Sequence, residues 1–447
     1  MDVSLEAYRN IVRSVARRSD IASLCGVNRA FRNAAERALY NTLIFSDEDP
    51  RLCTTLATSP RIASLVIALT VQVRRRQDGG RETSDSDSGS AASEGSARAS
   101  ASASASGSVV EGSAFAHPTS DQYWAAVAGA LRNTTRLRHL TIDISDPVDC
   151  ASAWVLDGCT FQLHTFHCDF DWDHALCGFL ATQRHLYDLS LRDYREPESP
   201  HPASEAHNLV LSTVPDDPNS GSTSTHGATD VPPVESPPHT LEEAIPLETV
   251  TPKSTTSLVI PALTTLECTF SEAAVMLVPG RPLSRLKTCF SRSDSVGKRA
   301  ELVALFGALR RSRVALRALD LADVSYTESG AMELLHRIAH TQITSSELRY
   351  LGTLALPIGG RKRLHFYGLL MRLPQLRCIE VDVSAWSPPP TSSPALRALA
   401  AELRLYCHDV HTVVFVQEFE RTVVTAGGTG VLKIDDEANP ELFWREM

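Results

Sequence analysis

The sequence lacks the marks of several common protein classes. None of its ten cysteines forms a Cys-x-x-Cys pair, and the N-terminus has no basic start followed by an apolar run. No stretch of about 18 apolar residues is present, so we expect no membrane span. Together these absences predict reduced cysteines, no signal peptide and a cytoplasmic or nuclear protein.

Signs of catalysis are also missing. No G-x-S-x-G, P-loop or G-x-G-x-x-G motif opens a helix, and no carboxylate pair suggests acid–base work. The stretch from His164 to His174 is dense in possible metal ligands. His174 stands where a calcium loop needs glycine, however, and Leu180 where it needs glutamate. We interpret this stretch as a polar strand-to-helix loop and predict a protein that is not an enzyme, with no cofactor and no metal.

The charge is unevenly distributed. The net charge is −10, and residues 196–257 alone hold ten acidic residues and one lysine, a balance of −9. The remainder is close to neutral and offers no broad basic field. We therefore predict no nucleic-acid partner and no membrane partner.

One short apolar pattern recurs along the chain. Its positions 1, 4 and 6 are apolar, as is typical of a short strand whose alternate side chains point inward, preceded by a residue that closes a turn. The copies are Ile62/Leu65/Ile67, Leu137/Leu140/Ile142, Leu163/Phe166/Cys168, Leu186/Leu189/Leu191, Leu263/Leu266/Cys268, Leu316/Leu319/Leu321, Leu376/Ile379/Val381 and Val410/Val413/Phe415, with a weaker copy at Leu283/Leu286/Thr288 and a shifted one at Leu348/Leu351/Leu354/Leu356.

Such a strand cannot bury its apolar side alone, whereas stacked copies can. The steps from Leu137 to Leu163 (26 residues) and from Leu163 to Leu186 (23 residues) fit a leucine-rich repeat. An ordinary α/β domain with leucine-rich strands is the alternative. Segments of helical period lie between the strands, which favours the α/β form of the repeat: 121–132, 299–311, 331–339, 364–373 and 395–406.

Two segments have too few apolar residues to fold. Residues 77–113 are rich in Ser, Ala and Asp, and residues 195–257 in Pro, Ser, Thr and acids. We predict that both are disordered insertions. The second explains the long step from Leu186 to Leu263, and the repeats on either side of it should be neighbours in space.

Residues 3–45 predict three short helices. Leu5 and Val12 lie on one face of the first helix, Ser19-Asp20 should cap the second, and Asn28 should cap the third. A unit of this size makes a poor independent core, so it either packs on the next domain or offers apolar residues to a partner.

Several motifs of this unit match a known family. They are Val3-Ser-Leu-Glu, Ser19-Asp-Ile-Ala-Ser-Leu24, Val27-Asn-Arg-Ala-Phe31 and Tyr40-Asn-Thr-Leu-Ile-Phe45. In these residues the unit resembles the F-box, and with its leucine-rich C-terminal region the chain resembles F-box-like proteins of fungi. The proline of the family's Leu-Pro-x-Glu motif is absent. A plain helical cap on the repeats is the alternative interpretation.

The resemblance implies a function. The chain would be the substrate-recognition subunit of an SCF-type (cullin-RING) ubiquitin ligase, binding a Skp-family adaptor and an unknown protein substrate. The runner-up is a leucine-rich-repeat interaction scaffold without ligase contact. The residues expected to bind the adaptor are Leu5, Val12, Ile21, Leu24, Val27 and Phe31.

The predicted fold class is therefore α/β, an F-box-like three-helix unit followed by an irregular leucine-rich-repeat solenoid with two disordered insertions. Exposed residues of the concave strand side, such as Arg138, Thr141, Arg377 and Glu380, are expected to select the target. The predicted segments are 1–45 (helical unit), 46–76 (first repeat), 77–113 (insertion), 114–194 (repeats), 195–257 (insertion), 258–409 (repeats) and 410–447 (hairpin cap and tail).

Overall fold

The structure is a computed structural model of the whole chain. It divides into two units, residues 1–195 with 259–447 and residues 196–258, and every described residue belongs to the first. The insertions predicted at 77–113 and 195–257 lie outside the described residues. The described ranges are 4–46, 51–73, 120–144, 153–192, 260–323, 327–418, 420–427 and 430–447.

Thirteen strands of the described residues form one sheet, and their order in space is their order in the chain. The strands are β1 (Thr42–Ser46), β2 (Ala68–Val73), β3 (His139–Ile144), β4 (Thr165–Cys168), β5 (Asp188–Leu191), β6 (Thr265–Cys268), β7 (Arg285–Cys289), β8 (Ala318–Ala322), β9 (Tyr350–Ala355), β10 (Cys378–Asp382), β11 (Thr412–Gln417), β12 (Glu420–Ala426) and β13 (Leu432–Ile434). Neighbours from β1 to β11 are parallel, and β12 and β13 add antiparallel strands at one edge.

Helices occupy many of the connections, as parallel pairing requires a crossover. They are α1 (Leu5–Ser14), α2 (Arg18–Leu24), α3 (Arg29–Tyr40), α4 (Arg51–Thr58), α5 (Pro60–Ala63), α6 (Ser120–Asn133), α7 (His174–Thr182), α8 (Ser271–Leu277), α9 (Ser295–Leu309), α10 (Glu328–His340), α11 (Gln342–Ser345), α12 (Gly360–Leu370), α13 (Ser393–Tyr406) and α14 (Phe443–Glu446), with 3-10 turns at Ala153–Leu156 and Pro440–Leu442. Among the described residues, none of these helices combines the length and apolarity needed to cross a bilayer.

The repeated apolar pattern places equivalent residues side by side in the sheet. Leu140 lies opposite Leu69 on one neighbouring strand and opposite Phe166 on the other. All three side chains are at most 1% exposed. Each strand therefore adds to a continuous apolar row, and the connecting segments cover that side of the sheet.

The two longest gaps in the pattern separate strands that are direct neighbours. β5 pairs with β6 across the predicted insertion at 195–257, with Leu189 opposite Leu266. β2 pairs with β3 across residues 74–119 in the same way. The expectation that the repeats flanking the second insertion are neighbours is confirmed.

The prediction for the first repeat is wrong in two respects. The triad Ile62/Leu65/Ile67 is out of register, because Pro60 starts the short helix α5, which includes Ile62. Moreover, β1 (Thr42–Ser46) is a strand that the apolar pattern did not predict, and the boundary set at 45/46 falls inside it. The triad in register with Leu137/Leu140/Ile142 is Val66/Leu69/Val71.

The two irregular copies are integrated into the sheet. Thr288 lies in register with Cys268, and its hydroxyl donates to the Phe270 carbonyl at 3.2 Å, so an inward threonine is satisfied there. The shift predicted after Leu351 is confirmed, since the pairing of β9 with β10 slips by one residue before Leu354.

The three N-terminal helices pack on a small core of their own, made of Val12, Ala34 and Ala35. Ser4 caps α1 by accepting from the Ala7 amide, and Asn28 caps α3 as predicted. The cap predicted at Ser19-Asp20 is wrong. α2 begins one residue earlier, at Arg18, and has no side-chain cap.

The other sequence predictions of local structure largely hold. All five segments of predicted helical period overlap helices, namely α6, α9, α10, α12 and α13. The predicted C-terminal hairpin exists as β11 and β12, which pair antiparallel. The nine cysteines that the structure describes are free thiols, and burial raises the pKa of Cys168 and Cys268, which lie in the apolar row.

Gly352 in β9 is required by a close approach of β8. A Cβ at this position would lie 2.7 Å from the Cα of Asp320. We expect Gly352→Ala to lower the free energy of unfolding by about 1–3 kcal/mol, because the backbone must shift. Gly368→Ala is the matched control: it lies in α12 with open space around it, and alanine there should raise stability by about 0.5–1 kcal/mol. Urea denaturation compares them, and equal effects would refute the close approach.

Candidate functional site

Strand residues that alternate with the apolar row point to the opposite side of the sheet, which we call the open face. The residues at its centre are polar or charged over much of the sheet. From β3 to β8 they are Thr141, His167, Ser190, Glu267, Lys287 and Asp320.

The C-terminal segment, residues 435–447, lies on part of this face. Its helix α14 packs on β7, β8 and β9. Trp444 is only 2% exposed, and its neighbours include Tyr350 of β9 and Cys378 of β10. The hairpin strand β12 covers the edge of β11, as a cap was predicted to do, but the tail that follows continues over the open face.

Arg445 ties the C-terminal segment to strands far away in the sequence. Its guanidinium donates to both carboxylate oxygens of Asp188 at 2.8 Å and to Glu267 Oε2 at 2.8 Å. The same group lies 4.5 Å from the centre of the Trp444 ring. Nη1 makes both contacts to Asp188 and Nη2 makes the contact to Glu267, and charge-assisted hydrogen bonds of this kind are stronger than neutral ones.

These contacts change the pKa of both acids. Burial alone would raise the pKa of Asp188, but His167 and Arg445 outweigh it and the pKa falls below its usual value. The pKa of Glu267 is also lowered, because Arg445 and Lys287 outweigh the effect of burial. Both acids are therefore charged at neutral pH and hold the guanidinium in place.

A second buried polar group lies further along the open face. Glu380 accepts from the Tyr350 hydroxyl at 2.7 Å and from the Thr353 hydroxyl at 3.0 Å. Arg421 of β12 reaches the same carboxylate, with Nε 3.6 Å from Oε2. Arg421 also contacts Glu441, so strand β12 and the C-terminal segment share this cation.

Asp320 of β8 is also buried, and its surroundings disfavour the charged form of its carboxyl group. Burial, and next the charge of Glu380, raise its pKa to about 7. Lys287 and Arg421 oppose the shift without cancelling it. A carboxyl group that is partly protonated near neutral pH therefore lies beneath the C-terminal segment.

Not all of the residues expected to select a target are accessible. Arg138 and Arg377 are exposed and Thr141 is half-buried, but Glu380 is only 2% exposed. The prediction for Glu380 is wrong because Tyr350, Thr353 and Arg421 enclose its carboxylate. A free acidic side chain was expected there, and a buried structural one is found.

Over β1–β5 the open face and its amino-terminal edge carry a different chemistry. Ile44 is 61% exposed, and imidazole rings lie at the start of β3–β5. His164 is 6.1 Å from His139 and 6.5 Å from His185, measured between ring centroids. Burial, then the charge of Arg138 and the two neighbouring histidines, lower the pKa of His164.

The N-terminal unit holds the six residues predicted to bind an adaptor, and the structure separates them by exposure. Val12 lies in the core of the unit at 1% exposure, so its side chain faces inward. The partly buried residues that pack against it are Ile21, Leu24 and Phe31. Leu5 and Val27 are open to solvent, with exposed fractions of 47% and 61%.

The remaining polar stretch has structural roles. Asp173 caps α7 by accepting from the Leu176 amide at 2.7 Å, and Asp169 accepts from the Ile144 amide at 2.9 Å. Within the described ranges, no group of three His, Cys, Asp or Glu side chains is arranged to hold a metal ion. The stretch contains β4 itself, so the loop interpretation is confirmed only for residues 169–173, which join β4 to α7.

Sequence reasoning did not predict that Trp444 and Arg445 lie on the open face. Arg445 pairs with Asp188 across 257 positions, a separation that no local pattern reveals. The sequence does contain one indication of this contact: Phe443, Trp444 and Arg445, two aromatic residues and a basic one, follow an acidic stretch. That pattern predicts that the segment packs against the protein, but it does not identify the residues that it contacts.

Arg445→Gln tests the anchor of the C-terminal segment. We expect the free energy of unfolding at pH 7 to fall by about 1–3 kcal/mol, because Asp188 and Glu267 both lose the guanidinium that they share. Lys433→Gln, on the exposed side of β13, is the control and should change little. Urea denaturation measures both. Since both acids have lowered pKa values, the difference should vanish as the pH falls below their folded pKa values; a difference unchanged at low pH would contradict the ion pairs.

Asp320→Asn tests the buried carboxyl. The folded pKa of about 7 lies above the unfolded value of about 4, so stability should fall as pH rises between them. Asparagine should raise the free energy of unfolding at pH 7.5 by about 1–3 kcal/mol and flatten its pH dependence. The control is Asp409→Asn at an exposed position. An unchanged slope between pH 5 and 7.5 in Asp320→Asn would show that Asp320 does not titrate there.

Comparison with known proteins offers no guide to this surface. Neither a protein-family model nor a curated protein sequence matches the chain.

Proposed function

We propose that the chain is a non-catalytic substrate-recognition subunit of an SCF-type (cullin-RING) ubiquitin ligase. In this proposal α1–α3 form an F-box-like unit that binds a Skp-family adaptor. The parallel strands and their helices form an irregular leucine-rich-repeat solenoid that binds the protein to be ubiquitinated.

The observation that carries the proposal is the apolar surface of the N-terminal unit. The three helices have only 10, 7 and 12 residues. Leu5 and Ile11 of α1 are 47% and 45% exposed, and Val27, between α2 and α3, is 61% exposed. Burying one such side chain fully in an interface contributes about 1.5–3 kcal/mol. Three such side chains in one small unit would therefore contribute substantially to the free energy of binding a partner.

The small size of the unit's own core also supports the proposal. Val12, Ala34 and Ala35 are the buried residues of its cluster, and the rings of Tyr8 and Phe31 pack edge to face at 4.7 Å. A core this small contributes little stability by itself. Association with a larger partner would add the burial that the unit lacks.

The sheet supports the second half of the proposal. Every strand neighbours the next strand in the chain, which is the connectivity of a solenoid. The C-terminal segment occupies the open face from β5 onward, as the contacts of Trp444 and Arg445 show. The open face of β1–β4 and the edges of the sheet would remain for binding a target protein.

One observation favours the runner-up, an interaction scaffold in which α1–α3 only cap the sheet. α3 leads directly into β1, the first strand, and Glu36 of α3 accepts from Arg61 of α5 at 2.5 and 3.0 Å. A unit so connected would protect the apolar row without any adaptor.

Val27→Asp separates the two functions. Because Val27 is exposed, the fold should persist, while a buried carboxylate in an adaptor interface should weaken binding at least about tenfold. The matched control is Val303→Asp in α9, where valine is 55% exposed. Co-purification with a Skp-family adaptor measures binding, and circular dichroism checks the fold. A wild-type chain that never binds the adaptor, or equal loss in both variants, would reject the proposal in favour of the scaffold.

A further inference from the structure

The residue that precedes each strand forms a row of its own along the amino-terminal edge of the open face. Consecutive members are joined by backbone hydrogen bonds of 2.7–3.0 Å, from Asn41 to His411. No Asp or Glu occurs in this row. Its basic members are Arg138, His164, Arg317, Arg349, Arg377 and His411.

Three arginines stand next to one another in this row, before β8, β9 and β10. The Arg349 amide donates to the Arg317 carbonyl at 2.7 Å, and the Arg377 amide to the Arg349 carbonyl at 2.8 Å. Neighbouring strands are about 4.8 Å apart, so the three side chains start at that spacing. We call Arg317, Arg349 and Arg377 the arginine row.

The arginine row has little counter-charge. Glu347 lies 3.7 Å from Arg317, and since both side chains are about half exposed this pair contributes little. Beyond the backbone hydrogen bonds of the row, the side chains of Arg349 and Arg377 make no hydrogen bond or ion pair to any residue that the structure describes. Three positive charges that start from neighbouring strands favour the binding of an anion between them.

A fourth arginine extends the positive charge onto the open face. Arg285, the first residue of β7, has a buried Nε without a hydrogen-bond partner among the described residues. Burial, then the charges of Arg317 and Arg349, lower its pKa. Asp188, the acid whose charge acts on Arg285, is already bound by Arg445.

The C-terminal segment closes one side of the arginine row. The residues that directly follow the three arginines, Ala318, Tyr350 and Cys378, belong to the cluster around Trp444. A ligand of the row therefore cannot continue across the open face at this point. It must lie along the edge, perpendicular to the strands.

We propose that the arginine row binds an α-helix of a protein partner that carries one carboxylate per turn on one face. The inference deepens the proposed function, because it names the chemistry of the target; it rests on that function only for calling the partner a target. Guanidinium groups bind carboxylates in bidentate geometry, so three aligned pairs are expected.

The spacing favours a helix over an extended peptide. One helical turn rises about 5.4 Å, close to the strand spacing of about 4.8 Å, so the mismatch over two intervals is about 1 Å. Alternate residues of an extended strand are about 6.7 Å apart, and the mismatch grows to about 4 Å. Long side chains absorb the first mismatch more easily than the second.

The test uses the full chain and two synthetic helical peptides of identical composition and charge. One carries Glu at successive turns of one face, and the other carries the same Glu residues spread around the helix. We expect the first to bind at least about tenfold more tightly by fluorescence anisotropy, with an affinity that falls as salt rises from about 0.05 to 0.15 M. Equal affinities, or no binding of either peptide, would overturn the proposal.

Variants locate the site. Arg349→Glu, at the centre of the row, should weaken the aligned peptide at least about tenfold, whereas Arg349→Lys should weaken it less because the charge remains. Arg397→Glu in α13, an exposed arginine on the helical side, is the matched control and should have no effect. Equal loss in the Arg349→Glu and Arg397→Glu variants would mean that only net charge matters, and would refute the site.

Two further experiments distinguish this inference from the alternatives, a phosphate-binding site and an adaptor-binding site. An extended phosphoserine peptide that binds more tightly than the aligned helix, and is lost in Arg349→Glu, would assign the row to phosphate and overturn the carboxylate proposal. Adaptor co-purification of Arg349→Glu should match wild type. Lost peptide binding with intact adaptor binding would thus separate the target site from the adaptor site, and a chain that binds the peptide but no adaptor would retain this inference alone.

Discussion

The structure depends on one shared apolar row. Each strand contributes two or three inward side chains, such as Leu140 and Ile142 of β3, and these are buried only because the next strand supplies equivalents such as Phe166 and Cys168. No strand from β2 to β11 could be removed without exposing its neighbours. This constraint explains why long gaps in the sequence leave the register untouched: β5 and β6 must meet, whatever lies between them.

The opposite side of the sheet is organised by charge. Asp188 and Glu267 hold Arg445, and Glu380 holds Arg421, so cations from the C-terminal part of the chain rest on acids of the central strands. Trp444 adds apolar burial between these contacts. The acidic centre is thus largely neutralised within the chain, while the arginines at the amino-terminal edge are not. That asymmetry, more than any single residue, distinguishes covered surface from surface available to a partner.

Under the proposed function, the surfaces that remain uncovered would be the ones that bind partners. The N-terminal helices leave apolar side chains such as Leu5 and Val27 in solvent, and the sheet leaves β1–β4 and a row of arginines. These surfaces differ in chemistry and are carried by different elements, as two separate partners would require. The His164–His174 stretch, which contains many possible ligands, is used for capping and for a backbone hydrogen bond instead.

The sequence by itself determined most of the parallel strands and the longer helices, because apolar spacing is a local property: Leu376, Ile379 and Val381 predict their strand without knowledge of its neighbours. It misplaced the first repeat, since Ile62 and Val66 begin competing triads four residues apart, and only pairing with β3 selects the second. It missed Trp444 and Arg445, and it took Glu380 for exposed. Only the tertiary structure decided these, because burial on the open face depends on a segment brought there from the other end of the chain, and no short-range pattern encodes that contact.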